Sequence, residues 1–501
     1  MRVSKLFLGV LLAASSSAAP AAWQVAKSKH FIIYADDRPK TVQDFATKLE
    51  RFDQAARVLL KMDDPPVGDG NRVTVFVVPT DDEVRRLAGD TTGFLQGFYR
   101  GRVEGSVVYV PKKSDFDGGI GANPILYHEY SHHLMMQQLD QPYPEWYVEG
   151  FAEFMSTPRF EKDGSVGLGA APKHRAYSLF NKTLPVEALF TSDVTKLSAD
   201  QRETLYGRAW LLTHFLIMDE ARKGQLTAYV QALSKGQPGL QAARATFGDF
   251  KQLEKDLQAY LNRSRIMYFQ IPGSKVQPGP IDVQPLSAGA AEIMPVRWRI
   301  KNGVARSERE KLAGQARLVQ PRYPGDELVE TTLAEAELDA GHYEAAEAAA
   351  DRAIKANPKS TEPLIMKGRA LLERAASGEG DQSALFAEAR RTFIAANKLD
   401  AEDPEPLLDY YQAFLREGVR PTPNAIDALH YASNLAPQDV GVRMNSALAY
   451  LKEGKTKEAR ETLMPVAYSP HAGPASAAAR RMNARIDAGD GKEAAKAAFS
   501  R

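Results

Sequence analysis

Two histidines four positions apart, His128 and His132, and a glutamate at position 149 constrain this 501-residue chain more tightly than any other feature. Side chains at i and i+4 project from one face of an α-helix, so a helix through His128-Glu129-Tyr130-Ser131-His132 lets both imidazoles grip one ion. Glu149 can offer an oxygen ligand only from a second helix, beyond the break at Pro142-Tyr143-Pro144. Glu129 then lies beside the metal, where a carboxylate can take a proton from bound water. Two histidines, a glutamate and an open fourth position describe a catalytic zinc site rather than a closed structural one. The first helix has its own start signals. Asn123 can cap it, Pro124 suits its first turn, and Gly118-Gly119-Ile120-Gly121 breaks the chain ahead of it.

A chain of 501 residues exceeds what one hydrophobic core supports and predicts two or three domains. With 44% hydrophobic and 25% charged residues it is an ordinary folded protein, which excludes global disorder. The formal net charge of +1 gives no general reason to expect nucleic acid or an anionic membrane as partner. Cysteine is absent, which removes disulfides, a thiolate nucleophile, cysteine-ligated zinc and a lipid-modified cysteine. Arg2 and Lys5, the apolar run Leu6 to Ala14 and the small residues from Ser15 to Ala22 read as a signal peptide over 1–22. Cleavage is expected after Ala19 or Ala21. No later stretch is long and apolar enough to span a membrane, so the expectation is an exported, periplasmic protein with no membrane span after cleavage.

Along the chain, His30 to Tyr34 reads as a strand, Asp36 to Pro39 as a turn and Val42 to Leu60 as a helix. Val73 to Val78 and Ser106 to Val110 are further strands, and helical patterning returns over Leu205 to Met218 and Phe250 to Tyr268. Proline and glycine then accumulate from Ile271 to Met294, as in a linker or an extended edge segment. The expected domains are 23–270, a connecting segment 271–325, and a repetitive alanine-rich region 326–501.

That last region resembles tetratricopeptide repeats. Gly341, Ala346, Ala353 and Pro358, then Gly368 opening a next unit, then Ala389 and Ala396, Gly418, Ala425, Ala432 and Pro437, and Gly454 and Ala459 recur at helix-pair offsets. Repeats of roughly 34 residues would give three to four units, with an insertion near 377–383.

The segment from about Val107 to Leu216 resembles the gluzincin metallopeptidases, the thermolysin-like peptidase MA clan. The residues that carry the likeness are His128-Glu129-x-x-His132 and Glu149-Gly150-Phe151-Ala152-Glu153. The resemblance implies zinc as cofactor, His128, His132 and Glu149 as its ligands, and Glu129 as general base. It implies Gly150 as a close approach of two helices and Glu153 as the carboxylate that orients a ligating imidazole through its other nitrogen. His133 points about 100° away around the helix and is expected to pack rather than ligate. A donor to the developing oxyanion is expected downstream, from Tyr206 or else His214, with Tyr206 favoured. Substrate is expected to add as a strand along a sheet edge, for which Ser106 to Val110 is the candidate.

The expected whole is an α+β zincin-like metallopeptidase domain followed by an all-α tetratricopeptide-like solenoid. It would hydrolyse a peptide or protein substrate, with a protein partner on the repeats. The competing expectation is an inactive zinc-domain scaffold that acts as a binding module through its repeats.

Overall fold

The computed structural model describes residues 22–90, 95, 97–112, 124–137, 141–182, 184–192, 196–378, 380–469 and 473–497. The expected leader up to position 21, the glycine break at 118–121 and the Asn123 cap lie outside those residues. The described residues begin with β1 (Ala22–Lys27), β2 (Phe31–Asp37), α1 (Pro39–Leu60), β3 (Val73–Val78), α2 (Asp81–Ala88), β4 (Phe98–Arg100) and β5 (Val107–Pro111). Then follow α3 (Pro124–Met136), α4 (Glu145–Met155), β6 (Arg159–Phe160), β7 (Val166–Leu168), α5 (Ala176–Asn181), α6 (Ala188–Thr191) and α7 (Ala199–Met218). Three helices, α8 (Gln225–Ser234), α9 (Gly239–Phe247) and α10 (Phe250–Leu261), precede β8 (Phe269–Ile271) and β9 (Asp282–Pro285).

One mixed sheet organises the first domain, in the order β4-β5-β3-β2-β1-β9. Strands β2, β3 and β5 are parallel neighbours, while β4, β1 and β9 pair antiparallel. Alternation sends Ile33, Val75 and Val108 to the face covered by α1, α3 and α4. Tyr34, Phe76, Tyr109 and Phe98, in register across four strands, stack on the opposite face at centroid spacings of 5.5, 5.4 and 4.8 Å. Such cross-strand aromatic pairs fix register, because a slip of one residue would turn every ring into the other layer.

The strand order corrects the expected substrate edge. Ser106 to Val110 contributes β5, which lies between β3 and β4 and is buried throughout. Among the described residues the edge on that side is β4.

A second correction concerns 271–325. It is no linker. Asp282–Pro285 pairs with β1 as the opposite edge strand, where proline is tolerated. The rest folds as α11 (Ala288–Asn302) and α12 (Arg309–Val319), the first helical pair of the solenoid. Met294 and Trp298 of α11 join the aromatic face of the sheet, and the Tyr109 hydroxyl donates to the Trp298 carbonyl at 2.7 Å. The two domains therefore share a core.

Further pairs follow: α13 (Glu327–Ala340) with α14 (Tyr343–Ala356), α15 (Glu362–Ser377) with α16 (Gln382–Leu399), and α17 (Pro404–Glu417) with α18 (Pro423–Leu435). They continue with α19 (Val440–Lys452) against α20 (Thr456–Ala467) and α21 (Pro474–Asp487) against α22 (Gly491–Ala497). First helices also touch across units, α11 with α13, α13 with α15 and α15 with α17, as in stacked repeats. Gly368 does not open a unit as expected. It sits inside α15, where an added Cβ would lie 2.4 Å from Phe393 of α16. No helix among the described residues is long and apolar enough to cross a membrane.

Candidate metal centre

Helix α3 begins at Pro124 and carries His128, Glu129 and His132; α4 begins at Glu145 and carries Glu149 and Glu153. The two helices pack together, and α4 is pressed in turn against α7. Gly150 permits that second contact: a Cβ there would meet Thr213 Oγ1 at 2.4 Å and the Ala209 carbonyl oxygen at 2.5 Å. The close approach expected at this glycine is thus between α4 and α7.

Three donor atoms converge between α3 and α4. His128 Nε2 and His132 Nε2 stand 3.2 Å apart, and Glu149 Oε2 lies 3.3 Å from the first and 3.7 Å from the second. All three residues are buried. In a tetrahedron with metal–ligand bonds of about 2.05 Å, the ligand–ligand edge is about 3.3 Å, so this triangle fits one face of a zinc coordination shell. These three residues could hold the ion, leaving its fourth position open.

Behind the triangle, Glu153 Oε1 lies 3.2 Å from His128 Nδ1, the nitrogen turned away from the donor cluster. Arg175 binds the same oxygen at 2.6 Å, and His174 Nε2 lies 3.2 Å from Oε2. Burial opposes ionisation of Glu153, but the Arg175 charge and the bonds from His128 and His174 hold it well below the usual carboxylate range. For His128, burial disfavours the charged ring, yet its bonds to Glu149 and Glu153 lift it to about 10. His174 and Arg175, on a turn just before α5, were not anticipated. A short basic run off any periodic pattern carries no sequence signal for this role.

Glu129 faces a cavity of about 450 Å³ that is also lined by β4, His132 and Val148. Tyr206, on α7, places its ring 6.3 Å from that of His128, with the Arg175 guanidinium 5.6 Å from the Tyr206 ring centre. Burial, then the charges of Glu149 and Glu129, push the Tyr206 hydroxyl upward, so it remains a hydrogen-bond donor.

His214 is not brought to the site, and its expected role as oxyanion donor is corrected. Both ring nitrogens are engaged in the core: Nδ1 meets the Tyr260 hydroxyl at 2.8 Å, and Nε2 lies 3.0 Å from the carbonyls of Gly169 and Met267. Burial lowers it to about 4, against the pull of those carbonyls. It is a neutral packing histidine. His133 also points away, as its helical angle requires. It stacks on Tyr130, bonds Tyr99 of β4 at 2.8 Å and Gln137 at 3.1 Å, and is lowered to about 3 by burial and then by Arg57. Since Gln137 Nε2 donates to one nitrogen, the other donates to Tyr99, whose hydroxyl donates on to Ser106. This relay fastens α3 to the edge strand.

The chain's comparisons match these two halves. Residues 125–239 match a family described as a protein of unknown function (DUF1570), a stretch that holds the triangle, Glu153 and Tyr206. Residues 329–370 match the tetratricopeptide repeat, which with the helical pairing above makes the second half a repeat domain. Among solved structures, a MamA RS-1 ArsTM double mutant is 16% identical over 36% of this chain and 93% of its own, with a TM-score of 0.27. A thermophilic tetratricopeptide-repeat protein of Thermus thermophilus is 18% identical over 40% and 100%, with a TM-score of 0.32. No curated protein is significantly similar to the chain.

Proposed function

We propose that this chain is an exported, periplasmic zinc metallopeptidase of the gluzincin type, whose repeat domain engages protein. The single observation that carries the reading is the buried triangle of His128, His132 and Glu149, with Glu153 fixed behind it and Glu129 turned to a cavity. Bound there, zinc would polarise a scissile carbonyl and lower the pKa of water. Glu129, on the cavity side of α3, would accept the proton from the attacking water and return it to the leaving amine. Tyr206, held protonated, would donate to the oxyanion. Glu153 would keep the His128 imidazole in the tautomer that presents Nε2 to the ion. Strand β4, at the sheet margin, would take an extended substrate by backbone pairing.

The test is to purify wild type and Glu129→Gln, measure bound zinc, and profile cleavage of a peptide library. Zinc near one per chain in both, with cleavage by wild type alone, is the expected result. Zinc without cleavage by wild type would instead favour the scaffold, in which the repeats carry the function.

A further inference from the structure

The solenoid does not stand apart from the cavity beside Glu129. The cavity's near wall is β4 with Met135, Met136 and Val148, while its far wall is Gln438, Val440 and Ser469 of the repeats. The same repeats hold the edge strand in place. Asp439 Oδ2 accepts from the Val103 amide at 2.9 Å, and Gln438 Nε2 donates to the Arg102 carbonyl at 3.4 Å. From the first helical pair, Asn302 Oδ1 accepts from Arg100 Nε at 2.8 Å. Gly101 has no side chain where the Gln438 chain crosses it, 3.1 Å from an added Cβ.

Gln438 supplies the independent observation. It is 6% exposed, lines the cavity, and its Oε1 has no hydrogen-bond partner among the described residues. A buried amide oxygen left without a donor is rare in folded proteins. An incoming backbone N–H would satisfy it. The neighbouring hollow, lined by Trp146, Phe190 and Tyr229, is likewise bounded by Tyr468 of the repeats.

We infer that the repeats form the second wall of the substrate cleft, so that Gln438 and Val440 help decide which peptide is accepted. This rests on the metallopeptidase reading above and names its substrate class: an extended, unfolded polypeptide segment. Backbone pairing to β4 requires an extended chain. Met135, Met136, Val148 and Val440 then offer an apolar subsite, and flexible methionines accommodate side chains of varied shape. The repeats would select substrate within the same chain rather than only recruit a separate partner.

Because the chain lacks cysteine, Val440→Cys introduces a single thiol at the far wall. The full-length, zinc-loaded protein is treated with a maleimide reagent, with and without a peptide hydroxamate whose binding is measured by calorimetry. Bound peptide is expected to slow labelling about tenfold, since an occupied cleft excludes reagent as it excludes water. Ser377→Cys, on the exposed end of α15, is expected to label unchanged. Unchanged labelling at position 440 with hydroxamate bound would overturn the inference alone. A wild type that binds neither zinc nor hydroxamate would overturn the metallopeptidase reading beneath it and the inference together. As a second measurement, Val440→Trp should raise KM for a library peptide by about tenfold or more at unchanged zinc content. A KM and side-chain preference equal to wild type would contradict the shared wall.

Discussion

Helix α3 runs between two clusters of histidine and carboxylate, one fully buried and one with the exposed Asp64 at its rim, and they are opposites. On one side, His30, Asp53 and Asp64 bring donor atoms as close together as those of His128, His132 and Glu149. There, however, every group is answered by a neighbour. Both His30 nitrogens are taken, by Glu50 at 2.8 Å and Asp64 at 2.9 Å; Arg57 Nε binds Asp53 at 2.8 Å and Lys29 binds Asp64 at 2.6 Å. Tyr130 of α3 donates to Asp53 at 2.7 Å. Three acids face Arg57, Lys29 and a His30 whose protonated form they favour, so the charge closes on itself. On the other side, His128 bonds both Glu149 and Glu153, Arg175 bonds Glu153, and three donor atoms, from His128, His132 and Glu149, converge on one point. Donor proximity alone therefore does not mark a metal site. What sets the second cluster apart is that three of its donor atoms share one focus, beside the cavity that Glu129 and His132 line.

Four substitutions or titrations separate the clusters, and the first has the largest effect. His128→Ala should take bound zinc from near one per chain to near zero by elemental analysis, whereas His30→Ala should leave zinc content unchanged. Second, Arg57→Met strands Asp53 in the core and should destabilise the fold by about 3–5 kcal/mol in urea unfolding, again with zinc unchanged. Zinc loss on that change would mean that the clusters are one unit. Third, Glu153→Gln should weaken zinc affinity by about 10–100-fold in a competition assay, because it loosens the hold on His128 without removing a ligand.

The smallest effect is in pH. Burial works against a charged His30, but its bond to Glu50 and the charges of Asp53 and Glu50 outweigh it and raise the ring above its ordinary 6.5. Its stabilisation is therefore complete below 6.5 and is lost as pH rises through the raised folded value. Glu50 runs the other way. Burial raises it, the bond and charge of His30 with the His30 amide and Ser28 together lower it more, and its contribution is present above 4.5 and lost as pH falls through the depressed value. Urea midpoints of apo protein should thus be highest between about pH 4.5 and 6.5. His30→Gln should flatten the decline on the alkaline side; an unaltered profile would remove His30 from the account.

What was legible in the sequence follows from how local each signal is. Val73 to Val78 is a buried strand because a run of β-branched residues around Phe76 has no other easy fate, and Pro124 marks the start of α3 by its missing N–H. The donor triangle was legible because ligand spacing is a property of two adjacent helices. Less local features were hidden. Helix α7 starts at Ala199, ahead of the apolar pattern that begins at Leu205, on a Ser198–Gln201 capping box. Strand β9 was legible only as one of two alternatives, because its prolines fit a linker as well as an edge position. The histidines show the limit best. His132 and His214 look alike in sequence, yet one faces Glu149 and the other two backbone carbonyls. That difference is fixed by packing against Gly169 and Met267, which lie 45 and 53 positions from His214 along the chain. His174 and Arg175 reach Glu153 from a turn that no periodicity announces.

The most direct test of the central claim is zinc K-edge X-ray absorption on the full-length, zinc-loaded protein. The account predicts one tightly held ion, four-coordinate with nitrogen and oxygen donors at about 2.0–2.1 Å and the scattering of two imidazoles. A substoichiometric ion in a six-oxygen shell, or a spectrum unchanged by His128→Ala, would contradict it.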